Sequence, residues 1–312
     1  MDIMRETVEF KSHDGTSTIR GLVWLPSAGG QPRGVVQLVH GMSEYVGRYE
    51  RFARFLAGEG FIVCGEDHIG HGHSVEDPQQ LGCLPPDGAD VLIADVHELR
   101  GIVTARAGAG VPYVIFGHSM GSFITRAYLA RHGRGVAAAV LCGTGQQPVA
   151  LSKAGNVLSR MLCALRGPSY RSSFIDGLGA GAYAKQIENA RTPADWICTD
   201  EAVVDAYNAD ELCGFMFSVG GYAALTSLTG EVATDACARR VPTELPVLFI
   251  AGEQDPVGVC GAGVRSAAEQ LQRAGVADVS VLLYEGMRHE VLNEPGYERV
   301  QADVLAWLEE RL

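Results

Sequence analysis

Several things are absent from this chain, and each absence removes a class of function. No run of about 18 uninterrupted apolar residues occurs, so no segment is expected to span a bilayer. The first residues, MDIMRE, carry no apolar signal stretch, which sets a cytoplasmic protein as the expectation. Basic residues are outnumbered: 25 Lys and Arg stand against 37 Asp and Glu, a formal net charge of −12. Nucleic-acid binding and a polybasic hold on anionic membranes both need a basic surface, and neither fits this balance. None of the eight cysteines (Cys64, Cys83, Cys142, Cys163, Cys198, Cys213, Cys237 and Cys260) pairs into C-x-x-C, so no zinc or redox motif is indicated. They are expected to be reduced. A core built from 312 residues needs no disulfide staple.

Ordinary globular usage is present, with 47% hydrophobic and 20% charged residues. Glycine stands out: 39 residues, well above the usual share of about 7%. No G-X-Y period accompanies them, which removes collagen. Many tight strand–helix connections are the remaining explanation.

Short β-rich runs alternate with longer helix-like ones. Residues 7–11 and 18–25 read as a hairpin around His13-Asp14-Gly15. Residues 34–40, 61–66, 112–117, 135–141, 245–251 and 279–284 read as strands, several of the continuously apolar, buried kind. Residues 49–59, 89–107, 119–131, 261–274 and 295–312 read as helices. This alternation predicts an α/β protein with a doubly wound, mostly parallel sheet. It stops between residues 145 and 240, where Pro148, Pro168, Pro193 and several glycines interrupt helix-like sequence. The expected division is therefore a core in two parts, 1–144 and 241–312, with a helical insertion at 145–240.

The chemistry concentrates at strand ends. Gly117-His118-Ser119-Met120-Gly121 fits G-x-S-x-G between a strand and a helix, the setting in which a serine hydroxyl is exposed on a strained turn at a helix N-terminus. A serine needs a base. Beyond residue 132 only His289 supplies one, in the loop after the last strand and in the order Ser, acid, His. The acid belongs after the preceding strand, in Gly252-Glu253-Gln254-Asp255-Pro256. Asp255 is preferred, because Asp-Pro favours a tight turn, with Glu253 in reserve. Oxyanion donors are expected from the backbone N–H groups of Met42, after strand 34–40, and Met120. Asp67, His71 and His73 alternate in DHIGHGHS, but no partner cluster with zinc spacing accompanies them. A loop buttressing the oxyanion turn is the preferred reading, and no metal is expected.

On these motifs (HGMSEYVGRYERFARFL, DHIGHGHS, GHSMGS, GEQDPVG and RHEVLNE) the chain resembles the α/β-hydrolase superfamily, and within it the monoacylglycerol lipase and lysophospholipase-like group. The likeness covers nearly the whole chain. It implies the α/β-hydrolase fold with a helical cap after the sixth strand, where 145–240 falls. The cap segment TPADWICTDEAVVDAYNADELCGF resembles a version common in bacterial members. It further implies ester hydrolysis through an acyl-enzyme, with Ser119 as nucleophile, Asp255 as acid, His289 as base, Met42 and Met120 as oxyanion donors, and no cofactor.

The favoured substrate is a single-chain lipid ester, a monoacylglycerol or lysophospholipid, held in an apolar pocket under the cap. Phe174, Tyr183, Ile187, Phe215, Phe217 and Leu225 are the candidate lining residues, with packing within the cap core the favoured role for most of them. The apolar insertion leaves room for transient membrane contact through the cap. Two alternatives stay open: a thioesterase, amidase or proline-type aminopeptidase, for which Asp200, Glu201 or Asp205 would anchor a substrate amine, and a non-catalytic binding protein on the same fold.

Overall fold

The computed structural model describes residues 3–26 and 31–312. Met1 and Asp2, part of the N-terminal reading, lie outside them. The chain opens with β1 (Met4–Lys11) and β2 (Thr18–Leu25), an antiparallel hairpin. Asp14 makes its turn by accepting hydrogen bonds from the N–H groups of Thr16 and Ser17, both at 2.7 Å. Then follow β3 (Val35–Val39), α1 (Glu50–Gly58), β4 (Ile62–Asp67), α2 (Gly88–Ala107), β5 (Tyr113–His118), α3 (Met120–His132) and β6 (Ala138–Cys142). After β6 come α4 (Val149–Arg166), α5 (Ser173–Leu178), α6 (Glu201–Ala209), α7 (Val219–Val232) and α8 (Asp235–Ala238). The sheet resumes with β7 (Val247–Gly252), α9 (Ala262–Arg273), β8 (Val279–Tyr284) and α10 (Tyr297–Glu309).

The strand order is β1-β2-β4-β3-β5-β6-β7-β8, parallel from β4 to β8 and antiparallel at β1 and β2. β3 to β7 are buried along their whole length, which accounts for their largely apolar sequences, with Gln37 of β3 and Glu66 and Asp67 of β4 among the buried polar exceptions. Each face of the sheet carries its own core. One lies under α2, α3, α7 and α9, the other under α1 and α10. This is the doubly wound arrangement the alternation predicts.

Two consequences place the site. The order reverses at β3, since β4 lies on one side and β5 on the other, and a crevice opens there beyond the strand C-termini. Because β3 to β8 run in one direction, the loops after β3, β5, β6, β7 and β8 all leave along the same edge. The helices between β6 and β7 stand over that edge.

In α4 the usual amphipathic order is inverted. The small polar side chains Ser152, Ser159 and Cys163 are buried. Ser152 accepts from the Thr229 hydroxyl of α7 at 3.0 Å, and Asn156 donates to the Ala223 carbonyl at 2.8 Å. Leu151, Val157, Met161 and Leu165 instead face outward, each at least half exposed. Sequence reading finds no decisive amphipathic signal in this stretch. The signal is there, but its apolar side points to solvent. Among the described residues, no helix is long and apolar enough to cross a membrane.

Candidate active site

Ser119 forms the turn between β5 and α3 with φ 55° and ψ −121°, a conformation that serine rarely adopts. Two close approaches make that turn possible. A Cβ on Gly121 would lie 2.0 Å from the Val39 carbonyl oxygen, and one on Gly117 would lie 2.4 Å from the Gly121 carbonyl oxygen. Only glycine leaves the room. The Ser119 N–H donates to the Cys142 carbonyl at 2.9 Å, tying the turn to β6.

Asp255 follows β7 and is wholly buried, whereas the reserve candidate Glu253 points to solvent. One Asp255 oxygen accepts the Val257 N–H at 2.9 Å. The other accepts from Nδ1 of His289 at 3.0 Å. A carboxylate only accepts, so Nδ1 carries the proton and Nε2 presents its lone pair. Nε2 is buried and has no hydrogen-bond partner among the described residues. Burial pushes the His289 pKa down, but the charge and hydrogen bond of Asp255 outweigh it and the net displacement is upward. The ring lies between His118, with centroids 4.6 Å apart, and Trp196, at 4.9 Å. Burial, aided by the nearby His289 and Arg48, holds His118 well below the ordinary histidine range, so this neighbour stays neutral.

Ser119, His289, Met42 and Met120 border one cavity of about 380 Å³. Met120 is the first residue of α3, so its N–H has no intrahelical acceptor. The remaining wall is largely apolar, with Phe123, Tyr183, Trp196, Phe215, Met216 and Leu225. Three of the six expected lining residues, Tyr183, Phe215 and Leu225, are in place. The other three are corrections. Phe174 is 65% exposed on α5, Ile187 borders a separate depression, and Phe217 is wholly buried against His71 and Tyr222. Apolar character alone does not say which side of a thin helical layer a residue occupies.

The acids proposed as an amine anchor are also elsewhere. Asp200 accepts the Ala202 N–H as the N-cap of α6, and Glu201 and Asp205 pair with Arg191 on the surface. Three acids do border the cavity, none of them singled out from the sequence: Glu44 and Glu290, both held by Arg48, and Asp176, which accepts from the Tyr222 hydroxyl at 2.6 Å. A wider groove of about 940 Å³ beside α2 and α3 contains none of the expected catalytic residues.

The DHIGHGHS loop packs as a buttress. Asp67 accepts the N–H groups of Val46 and His73, both at 2.8 Å, and the His68 N–H donates to Nε2 of His40 at 3.0 Å. His71 stands between Phe215 and Phe217, and burial pushes its pKa down to about 3. Asp67 also meets Nδ1 of His73 at 3.0 Å, while His71 lies apart among aromatic rings, and no group of three side chains suited to a metal ion forms among the described residues.

A buried ionic cluster, to which the sequence reading assigns no role although its residues lie within HGMSEYVGRYERFARFL and RHEVLNE, joins the loops after β3 and β8. Arg48 donates to Glu44 at 3.1 Å and to both oxygens of Glu290, at 2.5 and 2.8 Å. Glu44 also accepts the Gly41 N–H at 2.6 Å and the Tyr49 hydroxyl at 2.8 Å. Burial raises the Glu44 pKa. Burial acts in the same sense on Glu290, but there Arg48 prevails and the net displacement is downward. The available signal was the Glu44–Arg48 spacing of four in an otherwise buried turn.

A family model described as serine aminopeptidase, S33, matches residues 30–296. The chain belongs to this family of α/β-hydrolases. It is a hydrolase related to monoacylglycerol lipases and carboxylesterases. A monoacylglycerol lipase from Mycolicibacterium smegmatis is 32% identical to this α/β-hydrolase over 92% of the chain and 91% of its own length. A highly thermostable carboxyl esterase from Bacillus coagulans, solved with glycerol, is 30% identical with a TM-score of 0.91, covering 98% of both chains. A soluble variant of the Saccharomyces cerevisiae monoglyceride lipase shares the fold of the α/β-hydrolase at 18% identity, with a TM-score of 0.76 over 98% of this chain and 94% of its own.

Proposed function

We propose that this α/β-hydrolase cleaves single-chain lipid esters, monoacylglycerols or lysophospholipids, through an acyl-enzyme. The observation that carries the reading is the shared cavity: Ser119 and His289, with its unpaired Nε2, border an apolar space of about 380 Å³. At about 30 Å³ per non-hydrogen group, taking the volume share of a water molecule as the guide, that space holds roughly a dozen groups. One acyl chain of moderate length fits such a space. The relatives described as monoacylglycerol lipases point the same way.

In this mechanism Ser119 Oγ attacks the ester carbonyl carbon while its proton passes to His289 Nε2. The negative oxygen of the tetrahedral intermediate accepts from the N–H groups of Met42 and Met120. Collapse breaks the ester C–O bond, and His289 returns the proton to the departing alcohol. Water then gives a proton to His289 and attacks the acyl-enzyme, which releases the fatty acid and restores Ser119. Asp255 fixes the imidazole tautomer throughout.

Residues 145–240 act in this reading as a cap over the strand edge. The outward apolar face of α4 gives that cap a surface for transient contact with lipid, the source of such substrates. A cytoplasmic setting agrees with eight free cysteines.

Activity against p-nitrophenyl esters and labelling by a fluorophosphonate should both vanish in Ser119→Ala. Retention of either overturns the assignment. Asp176 on the cavity wall, an acid with no cationic partner among the described residues, is the foothold for the amidase or aminopeptidase reading, since Glu44 and Glu290 are held by Arg48. A panel of acylglycerols and aminoacyl amides separates the two, with the acylglycerols expected to be the better substrates by at least about tenfold.

A further inference from the structure

The turn that carries Met42 is held from outside the core domain. Ser43, the next residue, has φ 56°, a left-handed conformation that costs a non-glycine residue free energy and persists only where neighbours over-determine it. The neighbours responsible come from α6 and the loop after it. The Tyr207 hydroxyl donates to the Ser43 carbonyl at 3.1 Å, the Gly214 N–H donates to the same oxygen at 3.0 Å, and Ser43 Oγ donates to the Phe215 carbonyl at 2.7 Å. Tyr207 also reaches the far side of the same turn. Its ring lies 4.8 Å from the Arg48 guanidinium, which donates to Glu44, whose carboxylate accepts the Gly41 N–H. One side chain thus braces both ends of a turn that would otherwise relax out of its left-handed step.

We propose that Tyr207 is a positioning residue for the oxyanion hole: by holding the Ser43 carbonyl, its hydroxyl fixes the turn that aims the Met42 N–H at the reacting carbonyl oxygen. The inference rests on the reading of Met42 as an oxyanion donor. It goes beyond that reading by making the cap a working part of the catalytic machinery. The direction of a backbone N–H is set by the dihedral angles beside it, and Ser43 adjoins Met42 directly. Hydrogen bonds to an oxyanion depend steeply on distance and angle, so a small rotation of the turn weakens the transition state more than the ground state. Burial, reinforced by the Glu290 charge, pushes the Tyr207 hydroxyl well above its ordinary pKa, so it remains a donor across the working pH range.

Tyr207→Phe deletes the donated hydrogen bond and keeps the ring on Arg48. It should lower kcat about 5- to 20-fold with KM changed by less than about twofold. The affinity of an alkyl boronic acid, which forms a tetrahedral adduct on the serine, should fall by a similar factor while Tm moves by only a few degrees. Ser43→Ala, which removes the bond to Phe215, should show the same split. It keeps the proposal testable if Tyr207→Phe folds poorly. Unchanged kcat and boronate affinity in a folded Tyr207→Phe overturn the proposal whatever Ser43→Ala shows, as does a loss of activity that only follows a loss of Tm. Ser119→Ala, run in parallel, separates the two levels. If it stays active, the mechanism and this inference both fall. If it is inactive while the Tyr207 and Ser43 variants behave as wild type, only the inference falls.

Discussion

Arg48 grips Glu290 with both terminal nitrogens, at 2.5 and 2.8 Å, across 242 residues of sequence. The contact closes the ring of loops around the cavity, because Glu290 adjoins His289 and Arg48 also holds Glu44 beside Gly41. All three side chains are almost fully buried. An ion cluster of this kind is costly to break from one side, since removal of the cation strands two carboxylates in a low-dielectric site.

Arg48→Met should therefore destabilise the protein by about 3–5 kcal/mol near neutral pH, measured by urea unfolding. The deficit should shrink in acid. A stranded buried carboxylate has a raised pKa in the folded state, so its stability contribution is present at low pH and lost as pH rises through that raised value. A loss that is independent of pH would argue against the cluster as its source.

The pH profile of kcat/KM tests the base. In the proposed mechanism His289 must be neutral to accept the Ser119 proton, and its pKa is displaced upward from an ordinary value of about 6.5. Activity should fall as pH drops through a midpoint above 6.5. Asp255→Asn removes the cause of the displacement. It should move the midpoint down and reduce kcat on the order of 10³- to 10⁴-fold. An unmoved midpoint would detach Asp255 from His289.

Gly143 lies at the end of β6 with φ 58°, and a Cβ there would sit 2.9 Å from Cε1 of His289 and 3.1 Å from its Nδ1. The group that must yield is the imidazole. Gly143→Ala should lower kcat at least tenfold, while the left-handed alanine costs about 1–2 kcal/mol of stability. Activity within twofold of wild type would show that the ring position tolerates displacement.

The outward face of α4 makes a prediction about surfaces. Lys153, Arg160 and Arg166 are exposed beside that apolar face, and no acidic residue occurs from Leu99 to Ile175. The net charge of −12 hides this local basic stretch. Wild-type protein should co-sediment with vesicles containing anionic phospholipid. Leu151→Ser, Met161→Ser and Leu165→Ser together should abolish that binding while leaving hydrolysis of a short p-nitrophenyl ester within twofold. Lys153→Glu with Arg166→Glu should weaken binding to anionic vesicles far more than to neutral ones. Equal binding by all of these proteins would remove α4 as the contact.

The strands are legible because a parallel strand buried on both faces is apolar along most of its length, and an unbroken run such as residues 247–251 has few other uses. Ser119, Asp255 and His289 stand out in the sequence as candidates because strand-end loops supply such residues in a fixed chain order and the serine turn demands glycines on both sides. Phe174, Ile187 and Phe217 were misplaced because helices that pack on two sides give no one-dimensional cue to which side faces a cavity.

The amino-acid sequence by itself determined the layered sheet, the edge on which the chemistry collects and the kinds of side chain that gather there, because these follow from local periodicity and local turn sterics. Only the tertiary structure decided how that chemistry is held. Trp196 on the ring of His289, Tyr207 on the carbonyl of Ser43 and Arg48 on Glu290 join residues tens to hundreds of positions apart. Such contacts depend on long-range packing geometry, which leaves no period or motif in the chain.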